Sequence, residues 1–160
     1  FKNIAHHFID LPFDMLLDFR NIFLIREPKY VINSYIKERD NPSAEDLGYP
    51  MLQRMVQIME SKGQKIFLID SHTILNDPPK ALGCICEFAE IPFDKNMLSW
   101  KASPKQEDGV WAKYWYKSLH KSTGFLKQSE KKVEIPERLK PVLKECENIY
   151  EILRSKVVRI

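Results

Sequence analysis

Apolar residues fall along this chain in two rhythms. Ile22-Phe23-Leu24-Ile25 and Ile66-Phe67-Leu68-Ile69 are unbroken apolar runs of β-favouring residues, the pattern of strands buried in a parallel sheet. Their flanks differ, so they read as two strands and not as a repeat. Elsewhere the period is helical. Leu52, Met55, Val56 and Met59 form one stripe, Leu82, Cys86 and Ala89 a second, and Leu139, Leu143, Cys146, Tyr150, Leu153 and Val157 a third, each on one helix face. Pro28 sets the start of a helix running to about Arg39, Gly63 closes a helix over about 44–61 as a left-handed cap, Asp77 and Pro78 open one over 78–90, and Pro136 opens a last one to about Val157. Strands over 1–5, 21–26 and 65–70, a helical stretch over 12–19, and short helices near 94–100 and 111–120 complete the predicted series. Alternating strands and helices predict an α/β domain with a parallel sheet, spanning 1–160 as one domain.

The end of the first apolar run carries candidate chemistry. Arg26 closes the strand, Pro28 opens the helix, and Ser34 follows on that helix. Open parallel sheets bind ligands at the carboxyl ends of their strands, and first-turn N–H groups favour an anion there. A guanidinium grips phosphate oxygens through paired N–H bonds, and a hydroxyl adds a neutral donor. The pattern alone leaves a second reading open, in which Arg26 pairs with a carboxylate and Ser34 is an ordinary helix serine.

The arrangement Arg26-x-Pro28 with Ser34, after an apolar strand, resembles the 3'-phosphate-binding segment of sulfotransferases that use 3'-phosphoadenosine 5'-phosphosulfate. Two further stretches resemble bacterial-type members: Leu75-Asn76-Asp77-Pro78 through Phe88-Ala89-Glu90-Ile91-Pro92-Phe93, and Asp108-Gly109-Val110-Trp111 with His120-Lys121-Ser122-Thr123-Gly124-Phe125. The resemblance implies a three-layer α/β/α fold of the P-loop NTPase-like sulfotransferase type. It also implies that Arg26 and Ser34 hold the cofactor's 3'-phosphate, with Lys121, Ser122, Thr123 and Gly124 closing over it. The loop supplies a cation, two hydroxyls and a glycine that lets backbone approach an anion, although the family's loop usually begins with arginine and has two glycines. Cytosolic members place a lysine, then a catalytic histidine two residues on, after an early strand. Lys2 matches the lysine, while His6 lies four residues beyond it, so the role of base passes to His6 or its neighbour His7. An unperturbed histidine pKa of about 6.5 suits that task; an exposed histidine pair at a helix start is the competing reading. Trp111, Tyr114, Trp115 and Tyr116 would frame an acceptor or adenine pocket, or serve as core packing.

The family's N-terminal phosphosulfate loop has no counterpart, because glycines 48, 63, 83, 109 and 124 stand too far apart for a glycine-rich phosphate motif. With Phe1 in place of a methionine, the expectation is the later portion of a larger domain, incomplete at its N-terminus and a poor enzyme by itself. The implied activity of the intact protein is sulfuryl transfer to a small-molecule hydroxyl or amine, releasing adenosine 3',5'-bisphosphate. Two other classes stay open: a non-catalytic interaction or regulatory domain of the same fold, and a P-loop kinase relative.

Composition narrows the partners. With 25 basic and 22 acidic residues and a net charge of +3, no concentrated basic stripe exists for nucleic acid. The cluster Lys127 to Lys132 is interrupted by Gln128, Ser129 and Glu130 and reads as a solvated loop. Cys84, Cys86 and Cys146 are odd in number and spaced against a disulfide framework, favouring a reducing, cytoplasmic setting. His6 and His7 are adjacent, not at helix-face spacing, so no metal site is expected. No apolar stretch approaches the roughly 20 residues of a membrane span. The last helix's stripe docks most economically on its own sheet; it could also seat a partner helix, which leaves a homodimer open.

Overall fold

The two apolar runs pair with each other. In the computed structural model, which describes residues 2–104, 108–109, 112, 116, 119–127 and 133–160, β1 (Asn21–Ile25) and β2 (Ile66–Asp70) run parallel, Asn21 opposite Ile66 and Ile25 opposite Asp70. Both strands therefore end at one level. Residues 1–72 and 130–160 form one compact unit, and 73–129 form another.

The first unit holds the sheet, α1 (Pro28–Tyr35) and α2 (Tyr49–Ser61). It also holds a C-terminal helix, Lys140–Arg154. The predicted stripes meet in one core: Met55, Val56 and Met59 of α2, Cys146, Tyr150 and Leu153 of the C-terminal helix, and Phe23, Ile25 and Leu68 of the strands are all buried. Val158, beyond that helix, donates its N–H to the Leu68 carbonyl (3.0 Å). Gly63 caps α2 as expected, at φ +69°, with its N–H on the Glu60 carbonyl and that of Gln64 on the Met59 carbonyl, both 2.9 Å. That is the Schellman closure.

Several expectations change. Residues 2–4 form no strand, and Ala5–Phe8 is a 3-10 turn; Asn3 disfavours a strand, and Ile4 is exposed. The 12–19 stretch shrinks to a 3-10 turn, Phe13–Leu16. α1 stops at Tyr35, and the chain continues as a turn over 36–38 and a bend from Arg39. α2 begins at Tyr49, not near Ala44, because Gly48 turns left-handed at φ +79°, a conformation no helix interior accepts. β1 is buried on one face only. Phe23 and Ile25 face the helical core, whereas Leu24 is 56% exposed, since the helices of this unit pack on the Phe23 side.

An unpredicted short helix, α3 (Ser71–Asn76), follows β2 directly. In the second unit α4 (Pro78–Ala89) is capped by Asp77, whose carboxylate accepts the Lys80 N–H (3.2 Å). The C-terminal helix is accordingly α5. A 3-10 turn, Lys95–Leu98, replaces the helix expected at 94–100, and Ser99 bridges Gly124 in antiparallel fashion. The helix expected at 111–120 lies largely outside the described residues, which include Ala112, Tyr116 and, at its end, the 3-10 turn Leu119–Lys121; the Tyr116 N–H meets the Ala112 carbonyl (2.9 Å). The parallel pair among helices agrees with the α/β class.

Candidate functional site

Arg26 is the first residue beyond β1, and its backbone and side chain are treated differently by the fold. Tyr49, buried at the start of α2, donates its hydroxyl to the Arg26 carbonyl (2.7 Å). The main chain is thereby fixed. The guanidinium is exposed and lies over the Tyr30 ring, 5.7 Å from its centre; among the described residues it makes no ion pair. The nearby cation Lys29 is engaged by Glu27, which raises its pKa, mainly through that hydrogen bond. Ser34 is exposed on α1, and its hydroxyl makes no hydrogen bond among the described residues. No carboxylate of the described residues neutralises Arg26.

β2 ends on a second polar group. Asp70 is buried, with Oδ2 accepting the Tyr150 hydroxyl (2.6 Å) and Oδ1 accepting the His72 N–H (2.6 Å), which caps α3. Burial first, and the bond to Asp70 second, push the Tyr150 hydroxyl well above its ordinary pKa; burial does the same for Tyr49. Both phenols stay protonated, as donors to fixed acceptors.

His6 is half-buried in the turn Ala5–Phe8. A Cβ on Gly48 would lie 3.2 Å from the Ala5 Cβ and 3.9 Å from the His6 ring. The amino end of α2 thus touches the His6 segment through Gly48 and the Arg26 carbonyl through Tyr49. Lys2 is exposed.

The predicted loop 121–124 belongs to the second unit, and its parts have other duties. Ser122 Oγ accepts the Trp100 indole N–H (3.0 Å) and donates to the Leu119 carbonyl (2.7 Å), so its proton is committed. The Thr123 carbonyl accepts the Trp100 N–H (3.0 Å). A Cβ on Gly124 would stand 3.1 Å from the Leu98 carbonyl, which explains the glycine by close packing. Lys121 and the Thr123 side chain are exposed. Beside this loop, His120 Nε2 meets Asp108 Oδ2 at 2.8 Å, a pair the sequence reading passed over although both residues stood in its motifs. Trp111, Tyr114 and Trp115 lie outside the described residues. Among the described residues no cluster of three metal-ligating side chains occurs, and no helix is long and apolar enough to cross a membrane.

β1, then Arg26 without an ion pair among the described residues, then a helix begun by Pro28 follow in the order of the motif that the chain resembles. Residues 1–156 match the family model described as a sulfotransferase domain. The chain belongs to the sulfotransferase domain family. Among curated proteins it is similar to branched-chain-amino-acid aminotransferase-like protein 2 of Arabidopsis thaliana, 34% identical over 147 residues covering 91% of this chain and 26% of that protein. Branched-chain-amino-acid aminotransferase-like protein 1 of the same plant is 36% identical over 147 residues, 92% of this chain and 26% of that protein. The chain spans about a quarter of the length of these relatives. No solved structure matches it.

Proposed function

We propose that this sulfotransferase domain binds 3'-phosphoadenosine 5'-phosphosulfate as sulfuryl donor, within a three-layer fold of the P-loop-like type, and serves transfer to a small-molecule hydroxyl or amine. The observation that carries this reading is the Arg26 guanidinium, held at a parallel strand's carboxyl end by its clamped backbone and without an ion-pair partner among the described residues. The donor set fits a phosphate dianion. Arg26 supplies a planar cation with parallel N–H groups, and Ser34 a hydroxyl with no hydrogen-bond partner among the described residues. Of the loop, Lys121 and Thr123 are the members with exposed side chains; Ser122 contributes by holding Trp100. Positioning and charge stabilisation carry most of the rate in transfers of this loose kind. Lys2 and His6 are the acid–base candidates in this unit. Three free thiols suit a reducing compartment such as the cytoplasm.

Calorimetric titration with adenosine 3',5'-bisphosphate and with ATP tests the reading. Selective binding of the bisphosphate is expected, weakened roughly 10- to 150-fold by Arg26→Ala, since a charged hydrogen bond contributes about 1.5–3 kcal/mol. Ser34→Ala should weaken it less. Preference for ATP would favour a kinase relative. Silence toward both ligands, or indifference to Arg26→Ala, would leave a non-catalytic domain.

A further inference from the structure

We propose that Tyr30 is a positioning residue for Arg26: its ring holds the guanidinium in place ahead of the ligand and thereby raises the affinity of that site for a nucleotide 3'-phosphate. The identity of the ligand rests on the proposed binding of the sulfuryl donor; the contact itself lies wholly within the first unit.

Core packing does not account for this ring. Tyr30 is half-buried in the first turn of α1, yet it stands outside the hydrophobic core of its unit, which takes Val31 beside it. Among the described residues its hydroxyl makes no hydrogen bond. What the ring meets is positive charge. Arg26 Cζ lies 5.7 Å and Lys29 Nζ 5.0 Å from its centre, both inside the roughly 6 Å over which an aromatic face attracts a cation. The Tyr30 N–H donates to the Glu27 carbonyl (3.1 Å), so the start of α1 sets where the ring stands.

A guanidinium drawn to a ring face uses none of its five N–H donors there. The ring removes rotamer freedom from a long side chain and leaves the N–H edge to phosphate oxygens. The Tyr49 hydroxyl on the Arg26 carbonyl acts on the main chain alone; Tyr30 adds the order in the side chain that this bond does not give. The neighbouring pair removes a competitor. Glu27 adjoins Arg26 in sequence, but its carboxylate is engaged by Lys29, whose ammonium lies over the same ring.

The test measures affinity for adenosine 3',5'-bisphosphate by calorimetry on the whole chain, and follows the Arg26 Nε NMR signal without ligand. Tyr30→Leu should weaken binding roughly 2- to 5-fold, the equivalent of an exposed cation–π contact of about 0.5–1 kcal/mol, and should leave the Arg26 signal more mobile. Tyr30→Phe keeps the ring and should retain both the affinity and the order. In an Arg26→Ala background Tyr30→Leu should cost nothing further, whereas a change that merely loosened α1 would weaken both backgrounds alike. Equal weakening in the two backgrounds, or tighter binding by Tyr30→Leu, overturns the proposal. So does an Arg26 side chain already mobile in the unaltered chain, even if Tyr30→Leu fails to fold. Failure of the bisphosphate to bind the unaltered chain would sink the donor reading, and the Arg26 signal then decides by itself whether Tyr30 orders the guanidinium; binding that is indifferent to Tyr30 sinks this proposal alone.

Discussion

Replacing Tyr150 with phenylalanine isolates one hydrogen bond at the carboxyl end of the sheet. The ring stays packed in the core, and only the hydroxyl that meets Asp70 Oδ2 at 2.6 Å is lost. Asp70 is 7% exposed, so water replaces that donor poorly, and among the described residues the carboxylate keeps the His72 N–H. A hydrogen bond to a charged group contributes about 1.5–3 kcal/mol, and a buried acceptor left short carries its desolvation penalty. The expected loss is about 2 kcal/mol. With a urea slope of about 2 kcal/mol/M, the midpoint should fall by about 1 M.

The readout matters, because Trp100, Trp111 and Trp115 all belong to residues 73–129. Tryptophan fluorescence follows the second unit, so far-UV circular dichroism is the measurement for α1, α2 and α5. Asp70→Asn should lose less, since its amide oxygen still accepts from His72 and the Tyr150 hydroxyl can turn to accept. The double variant should fall short of the sum by at least about 0.5 kcal/mol, as coupled neighbours do. A Tyr150→Phe shift under about 0.25 M, or strict additivity, refutes the view that this bond ties β2 to α5.

Gly48→Ala should destabilise the chain more than Gly63→Ala. Both sit at left-handed φ, +79° and +69°, where a Cβ costs about 1–2 kcal/mol, but only Gly48 has a neighbour, the Ala5 Cβ at 3.2 Å. Urea midpoints compare the two, and equal losses would remove the packing argument. At high pH, stability should decline from about pH 9. Burial pushes the Cys146 thiol up to about 12 from 9.0, and Tyr49 and Tyr150 are also raised above the ordinary 10.0. The folded chain then holds protons that the unfolded chain has released, so stability is intact below those ordinary values and falls as pH rises past them. Tyr49→Phe should flatten the decline above about pH 10; an unaltered slope would mean that its hydroxyl ionises alike in both states.

What could be read along the chain was local. The apolar runs became β1 and β2, the stripes on α2 and α5 became the core, and the Gly63 cap closed as its glycine promised. Those features depend on neighbours within about one helical turn. Helix starts were harder, because Gly48 looks helical by stripe and only its backbone angle says otherwise. The α3 turn had a signal that was passed over: Asp70 follows an apolar strand and caps the next N–H groups, the same syntax as Asp77 before α4. The exposed face of β1 had none, since an unbroken apolar run looks identical whether one face or both are covered.

The polar contacts at the strand ends lie beyond local reading for a related reason. Tyr49 and Arg26 are 23 residues apart, and Tyr150 and Asp70 are 80 apart, so their meeting depends on how α2 and α5 pack on the sheet. Yet these contacts bear on the role proposed for Arg26. An arginine on a loose loop loses side-chain and backbone freedom together when it grips an anion, whereas here the backbone is already clamped by a phenol from α2. The bond falls on the carbonyl, so it leaves the guanidinium, which lies over the Tyr30 ring, without an ion pair among the described residues. Had a carboxylate from α2 held the side chain instead, the same rigidity would have cancelled the charge. Neutral phenols at the ends of both strands, kept protonated by burial, hold the Arg26 carbonyl and the Asp70 carboxylate in place without adding a further negative group beside them.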